Sequence, residues 1–294
     1  MSVEHLIAEW EARSQPLQVP AASTRIWREG PGGNAEPVVC LHGVPSSGFI
    51  YRKMLPVLAM QGLEGVTLDF PGLGLADRPR HFDYSWTGLA KWLIQALDAA
   101  GIERFHLVVH DIGGPIGFEA VRRMQSLAPE RVRSLTLLNT LVRVAKFHRP
   151  WPMKPFAVLG LAWAWLQGMR TPLWAPMMRL MGVMDAPTRN EINAYRELLF
   201  RGDGGRAFLR IMRGYELTEE FEERTVAMLK NRNFPAQVIW GVDDPALKPE
   251  KYAGPICDAL RLPHWHAVRG KHFLMEDSPE EIAGRIAMFA RQET

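Results

Sequence analysis

Cysteine is scarce: Cys40 and Cys257 are the only two in 294 residues. They lie far apart in apolar runs, which excludes a disulfide framework and reads as two isolated buried thiols in a reducing compartment. Runs of like charge are missing as well. The 35 basic and 32 acidic residues are interspersed and leave a net charge of +3, so no basic arm or stripe points to nucleic acid. Long apolar runs are absent too. The longest, Phe156 to Leu166, falls well short of the roughly 20 residues that cross a bilayer. Met1 to Gln15 alternates charged and apolar residues where a signal peptide needs an unbroken apolar stretch. A cytoplasmic protein with no membrane partner is expected. No His, Cys or acidic residues recur at metal-ligand spacing, and Gly72-Leu-Gly74 lacks the third glycine and the lysine of a phosphate loop. No metal and no cofactor are therefore expected. What remains, 47% hydrophobic and 23% charged, is the composition of an ordinary globular protein of one large domain or two small ones.

The positive signal is alternation. Val38–Leu41, Val66–Asp69, Phe105–Val109, Leu135–Leu138 and Gln237–Trp240 are short, continuous apolar runs bounded by Gly, Pro or Asp. Such runs predict strands buried on both faces. Between them, stretches such as Trp86 to Ala100 and Pro115 to Leu127 repeat apolar residues at three and four. Strand and helix in turn predict an α/β fold: a mostly parallel central sheet with helices on both faces. The alternation stops near Val144 and resumes near Phe234. The stretch between holds Trp151, Trp163, Trp165 and Trp174, is rich in methionine, and is cut into short helices by prolines. It reads as a helical lid inserted over the carboxyl edge of the sheet, where open α/β folds bind ligands. The chain thus divides into a first core part at 1–144, a lid at 145–233 and a second core part at 234–294.

Chemistry gathers at the strand ends. Phe105-His-Leu-Val-Val-His-Asp-Ile-Gly-Gly114 is a buried strand running into Asp111, with Gly113 and Gly114 opening a helix. This is the pattern of a nucleophile elbow, in which a sharp strand-to-helix turn lifts one side chain clear. The lifted residue is a carboxylate, which the helix N-terminus keeps ionised. It suits displacement at an sp³ carbon bearing a good leaving group. On an ester it would form an anhydride, which argues against esterase or lipase activity. His42-Gly-Val-Pro45 follows an earlier strand, and its turn can aim the Val44 N–H beside that of Ile112 as an oxyanion hole. Trp240-Gly-Val-Asp-Asp-Pro245 sets two carboxylates just past another strand, and Arg269-Gly-Lys-His-Phe273 puts His272 in the loop before the last helix. Nucleophile, acid and histidine follow in the order expected of an α/β-hydrolase.

With His42-Gly-Val-Pro-Ser-Ser47, Tyr51-Arg52, Asp69-Phe-Pro-Gly-Leu-Gly74, Val109-His-Asp-Ile-Gly-Gly114, Leu138-Asn-Thr140, Gly241-Val-Asp-Asp-Pro245 and His272-Phe-Leu-Met-Glu-Asp277, the chain resembles the α/β-hydrolases, and among them the haloalkane dehalogenases. The resemblance covers almost the whole chain and is weakest across the lid. It implies that Asp111 attacks carbon and forms an alkyl-enzyme ester, which water activated by His272 then hydrolyses. Asp244 orients His272, by the spacing Gly-x-x-Asp-Pro, with Asp243 as second choice. It implies a small apolar organic substrate, water as co-substrate, and a monomer or small homo-oligomer.

Two positions depart from that family. It usually carries Trp directly after the nucleophile and often Asn in the His-Gly-Asn-Pro turn, both as halide donors. Here these are Ile112 and Val44. Each missing charge-assisted hydrogen bond forfeits roughly 1.5–3 kcal/mol, about ten- to a hundred-fold in rate. A lid tryptophan, Trp151 or Trp174, can compensate. The sister branch, the epoxide hydrolases, uses the same Asp–His–acid set with lid phenols as acids. Tyr195 and Tyr215 are the lid tyrosines among five in the chain. Halide and epoxide stay open as leaving groups, alongside a non-catalytic ligand-binding relative.

Overall fold

The expected apolar runs form the parallel heart of one eight-stranded sheet. The computed structural model describes residues 1–32, 36–158 and 160–292. Its strands are β1 (Ser14–Leu17), β2 (Thr24–Glu29), β3 (Val38–Leu41), β4 (Gly65–Leu68), β5 (Phe105–Asp111), β6 (Val132–Thr140), β7 (Ala236–Gly241) and β8 (His266–Val268). They lie in the order β1-β2-β4-β3-β5-β6-β7-β8. β4, β3, β5, β6, β7 and β8 run parallel, and β1 and β2 close one edge antiparallel. β3, β4, β5 and β7 are buried along their whole lengths, as continuous apolar runs in a doubly covered sheet require.

Helix Trp86–Ala99 packs against helix Gly113–Gln125, and helix Met54–Met60 against helix Pro279–Gln292. Ser85 caps the first of these through its side chain, which accepts from Gly88 N–H. Between β6 and β7 the chain leaves the sheet for the short helices Trp151–Ala157, Leu161–Gly168, Trp174–Met181, Arg189–Phe200 and Arg206–Arg213. A capping box at Thr188 and Glu191 starts the fourth. The next helix, Glu219–Lys230, packs on the core helix Gly113–Gln125. The N-terminal helix Val3–Ala12 packs on Arg189–Phe200, one of the helices inserted between β6 and β7, a segment termed the cap.

Candidate active site

Asp111 ends β5 with φ at 51°, a left-handed conformation that a non-glycine residue holds only when its surroundings impose it. Thr140, at the end of neighbouring β6, donates its hydroxyl to the Asp111 carbonyl at 2.6 Å. The turn works only because its neighbours are glycines. A Cβ on Gly114 would overlap the Thr140 hydroxyl, and one on Gly43 would overlap the Asp111 carboxylate itself. Ile112 directly follows in helical conformation, so its N–H stands at the open N-terminal end of helix Gly113–Gln125.

β7 and β8 supply the other two groups. His272 lies beyond β8 with Nε2 3.4 Å from Asp111 Oδ2 and Nδ1 2.9 Å from Asp244 Oδ2. Asp244 follows β7, and its other oxygen accepts the N–H groups of Ala246 and Leu247 at 2.7 and 2.9 Å. Asn139 Nδ2 donates to Asp244 Oδ2 at 2.8 Å, while its Oδ1 accepts from Gly241 N–H at 2.9 Å. The sequence argument quoted Asn139 without giving it a task. Its position at the end of β6, between the strand bearing Asp111 and the strand preceding Asp244, was the available signal. Asp243 is exposed and its backbone turns to Gly270, so the carboxylate beside His272 is that of Asp244.

Val44 N–H donates to Asp111 Oδ1 at 2.8 Å. The turn that aims it is held by His42, whose Nε2 accepts from Phe70 N–H at 3.0 Å and whose Nδ1 meets the Gly43 carbonyl at 2.9 Å. Burial lowers the His42 pKa to about 4, so this ring is a neutral strut. His110 is also neutral, its pKa pushed down to about 4 by burial first and by the nearby His272 next, and its Nε2 lies 2.8 Å from the His272 carbonyl.

Charge is distributed unequally among the three catalytic candidates. Burial works against the ionised form of Asp111, but the His272 hydrogen bond and charge, with the Val44 N–H, hold its carboxyl below the usual range. Burial opposes a charged His272 as well, yet the Asp244 and Asp111 carboxylates outweigh it and raise its pKa. These directions favour an ionised Asp111 carboxyl group paired with a protonated His272.

A family model for the alpha/beta hydrolase fold matches residues 36–279. The chain belongs to the α/β-hydrolase fold family. The "Haloalkane dehalogenase 2" of Mycobacterium tuberculosis is 27% identical over 267 residues, 86% of this hydrolase and 87% of that protein. A haloalkane dehalogenase of Psychrobacter cryohalolentis is 35% identical over 115 residues, which span 39% of this chain and only 36% of that relative. Among solved structures, Cfl2 from Burkholderia cenocepacia superposes with a TM-score of 0.81 at 22% identity, over 95% of both chains. The haloalkane dehalogenase DbeA from Bradyrhizobium elkani gives 0.74 at 21%, over 95% of this chain and 99% of that one.

Above Asp111 and His272 the hydrolase encloses a cavity of about 130 Å³. Val44, Phe156, Trp174, Leu199, Phe208 and Phe273 line it with a set of methionines, and among the described residues no Lys or Arg is in its walls. The cap is stitched to the histidine loop: Phe273 N–H donates to Gly182 O at 2.7 Å and Met184 N–H to Asp277 Oδ1 at 3.0 Å.

The four cap residues singled out in the sequence fare differently. Trp174 lines the cavity, but its indole N–H is spent on Ile192 O at 2.8 Å. Trp151 is exposed and outside the cavity wall. Tyr195 is buried away from the cavity and donates its hydroxyl to Glu276, inside a cluster where Arg52 and Lys53 meet Glu276 and Glu191. Its proton is engaged there, so the expectation that it serves a leaving group is corrected to a structural role. Tyr215 is likewise outside the cavity wall but differs in its hydroxyl. Its ring lies against Trp86, with centroids 5.0 Å apart, and its buried hydroxyl has no hydrogen-bond partner among the described residues. Burial first, and then the Asp111 carboxylate, push this phenol well above its ordinary pKa. Among the described residues no group of three or more His, Cys, Asp or Glu is arranged to hold a metal ion.

Proposed function

We propose that this hydrolase displaces a leaving group from an sp³ carbon of a small, uncharged, apolar substrate through a covalent Asp111 ester. The observation that carries the reading is a carboxylate on an elbow, touched by Val44 N–H at 2.8 Å and by His272 at 3.4 Å. Asp111 attacks carbon and the departing group takes the bonding electrons. Once the carboxylate is esterified, His272 releases its proton to solvent or to the departing group, and the neutral imidazole takes a proton from water. That water attacks the ester carbonyl, and the oxyanion forms against the N–H groups of Val44 and Ile112. The tetrahedral intermediate collapses by breaking its bond to the alkyl oxygen, which leaves as the alcohol with the proton held on His272. The Asp111 carboxyl group then ionises again, its proton returning to His272. No Lys or Arg among the described residues lines the cavity and the Asp111 carboxylate faces it, which disfavours an acidic substrate.

Halide is the first reading for the leaving group, since relatives that match most of the chain are named haloalkane dehalogenases. The epoxide reading has its own support. The indole N–H groups of Trp174 and Trp165 are both given to backbone carbonyls, whereas the Tyr215 hydroxyl is buried, protonated and unspent. Assaying purified protein against a brominated alkane and a terminal epoxide, with bromide and diol as readouts, decides between them. Neither product, with a folded protein, would refute the reading as an enzyme acting at sp³ carbon.

A further inference from the structure

The helices that wall the cavity are apolar on their outer side as well. Trp151 is 51% exposed, Leu161 51%, Trp163 37% and Leu173 65%. Monomeric proteins seldom concentrate large apolar side chains on one short surface segment without a partner for it. The charge of the same segment is one-sided. From Arg131 to Met184 there is no Asp or Glu, while Arg143, Lys146, Arg149, Lys154, Arg170 and Arg179 all fall within it. Arg143 is answered by Glu222 from outside the segment; Lys146, Lys154 and Arg170 are exposed. Arg206, from the last cap helix, lies over the Trp163 ring at 4.9 Å.

We propose that the outer face of the cap segment 143–182 docks on an anionic lipid surface. Exposed tryptophans and leucines flanked by cations are what a headgroup layer accepts: the rings settle at the boundary, and the ammonium and guanidinium groups meet lipid phosphates and carboxylates. A second copy of the chain fits the face poorly, because two acid-free cationic segments would repel one another. The inner side of the same helices carries Met153, Phe156, Leu166, Met169 and Trp174 into the cavity wall. A substrate dissolved in lipid would thus face apolar groups from the docking surface through to the nucleophile. The sequence argument against a membrane concerned bilayer spans, and no helix among the described residues is long and apolar enough to be one. Docking from one side needs no span.

Docking is measured as binding, so it can be tested on the Asp111→Asn chain and stands or falls independently of the proposed chemistry. The experiment is flotation with vesicles of phosphatidylcholine alone and of phosphatidylcholine containing phosphatidylserine, at low and high salt. Binding is expected to the anionic vesicles only and to weaken with salt. Lys146→Gln with Lys154→Gln should weaken it about 30-fold, at roughly fivefold for each cation near the surface. Leu161→Ser with Trp163→Ser should abolish it while leaving the circular dichroism and Tm close to those of the parent, since both side chains are exposed. No binding to anionic vesicles, or binding untouched by both double variants, would overturn the proposal. So would a dimer in light scattering that Leu161→Ser with Trp163→Ser dissolves, which would assign the face to a second copy.

Discussion

Asp244→Asn changes one atom, and the surroundings dictate how the new amide must lie. Asp244 Oδ1 accepts two backbone N–H groups, from Ala246 and Leu247 at 2.7 and 2.9 Å, so the asparagine carbonyl oxygen takes that place. Its NH₂ then faces His272 Nδ1, 2.9 Å from the replaced oxygen, and also the Asn139 NH₂, 2.8 Å from the same point. A donor opposite Nδ1 turns that nitrogen into an acceptor and moves the ring proton to Nε2, the nitrogen that must take a proton from water. The geometry survives with the wrong tautomer, a defect that costs about 10⁴-fold in the serine-protease triad and is expected to be of that order in ester hydrolysis here. Attack by Asp111 needs no base and should lose far less. With steps of comparable rate in the wild type, a loss of about 10⁴ in the second leaves nearly all of the enzyme as ester. Intact-mass measurement on a turned-over substrate should show a single adduct, mapping to the peptide that contains Asp111. The increment also reads the leaving group: an alkyl halide adds its alkyl fragment without the halogen, whereas an epoxide adds its entire mass. The folded-state pKa of His272 is raised chiefly by Asp244 against the penalty of burial, so the stability it contributes is full below the unfolded value and fades as pH rises through the folded one. The stability deficit of Asp244→Asn should therefore shrink towards alkaline pH. Near wild-type turnover in Asp244→Asn, or loss of turnover in the exposed Asp243→Asn instead, would refute this account of the site.

Four further outcomes are expected. Asp111→Asn should abolish turnover of every substrate while the protein stays folded, as judged by circular dichroism, because an amide in the same place cannot displace a leaving group. Asn139→Ala should lower stability by about 1–3 kcal/mol for the buried Gly241 N–H it leaves unpartnered, seen in chemical denaturation. It should also reduce kcat through the unsupported Asp244. Tyr215→Phe should lower epoxide turnover by roughly 10²–10⁴-fold if that phenol protonates the opening ring, and leave bromide release unchanged. Tyr195→Phe should change the stability of the Arg52–Glu276 cluster but neither product ratio.

The parallel half of the sheet was readable because burial on both faces leaves a continuous apolar run. Val38–Leu41 coincides with β3, and Phe105–Val109 and Leu135–Leu138 lie inside β5 and β6. The strands that went unread are those to which that rule does not apply. β1 carries Pro16 and exposes its two middle residues at the sheet edge, β2 mixes arginines with Ile26 and Trp27, and β8 has three residues. β1 and β8 are the edge strands and β2 is the next one in, so all three lack the double cover that leaves a continuous apolar run.

The same distinction divides the site. Asp111, Asp244 and His272 come together because each stands just past a strand of one parallel sheet, so strand order and direction alone bring them to a common edge. The cap has no such frame. A tryptophan or tyrosine on a short helix serves the cavity only if that helix is rotated the right way, and rotation is set by distant partners. Tyr195 is turned to Glu276, 81 positions along the chain, and the Trp174 indole to the Ile192 carbonyl, 18 positions away. Neither contact leaves a local pattern. A constellation at strand ends is thus legible from order and spacing, while which side chains of the inserted helices face the cavity is decided by packing between helices. Tyr215 shows the converse: sequence nominated it on the same ground as Tyr195, and only the absence of a partner for its buried hydroxyl separates the two. Where an elbow and its histidine would serve two chemistries alike, an unspent polar atom within electrostatic reach of Asp111 is the kind of feature that would separate them.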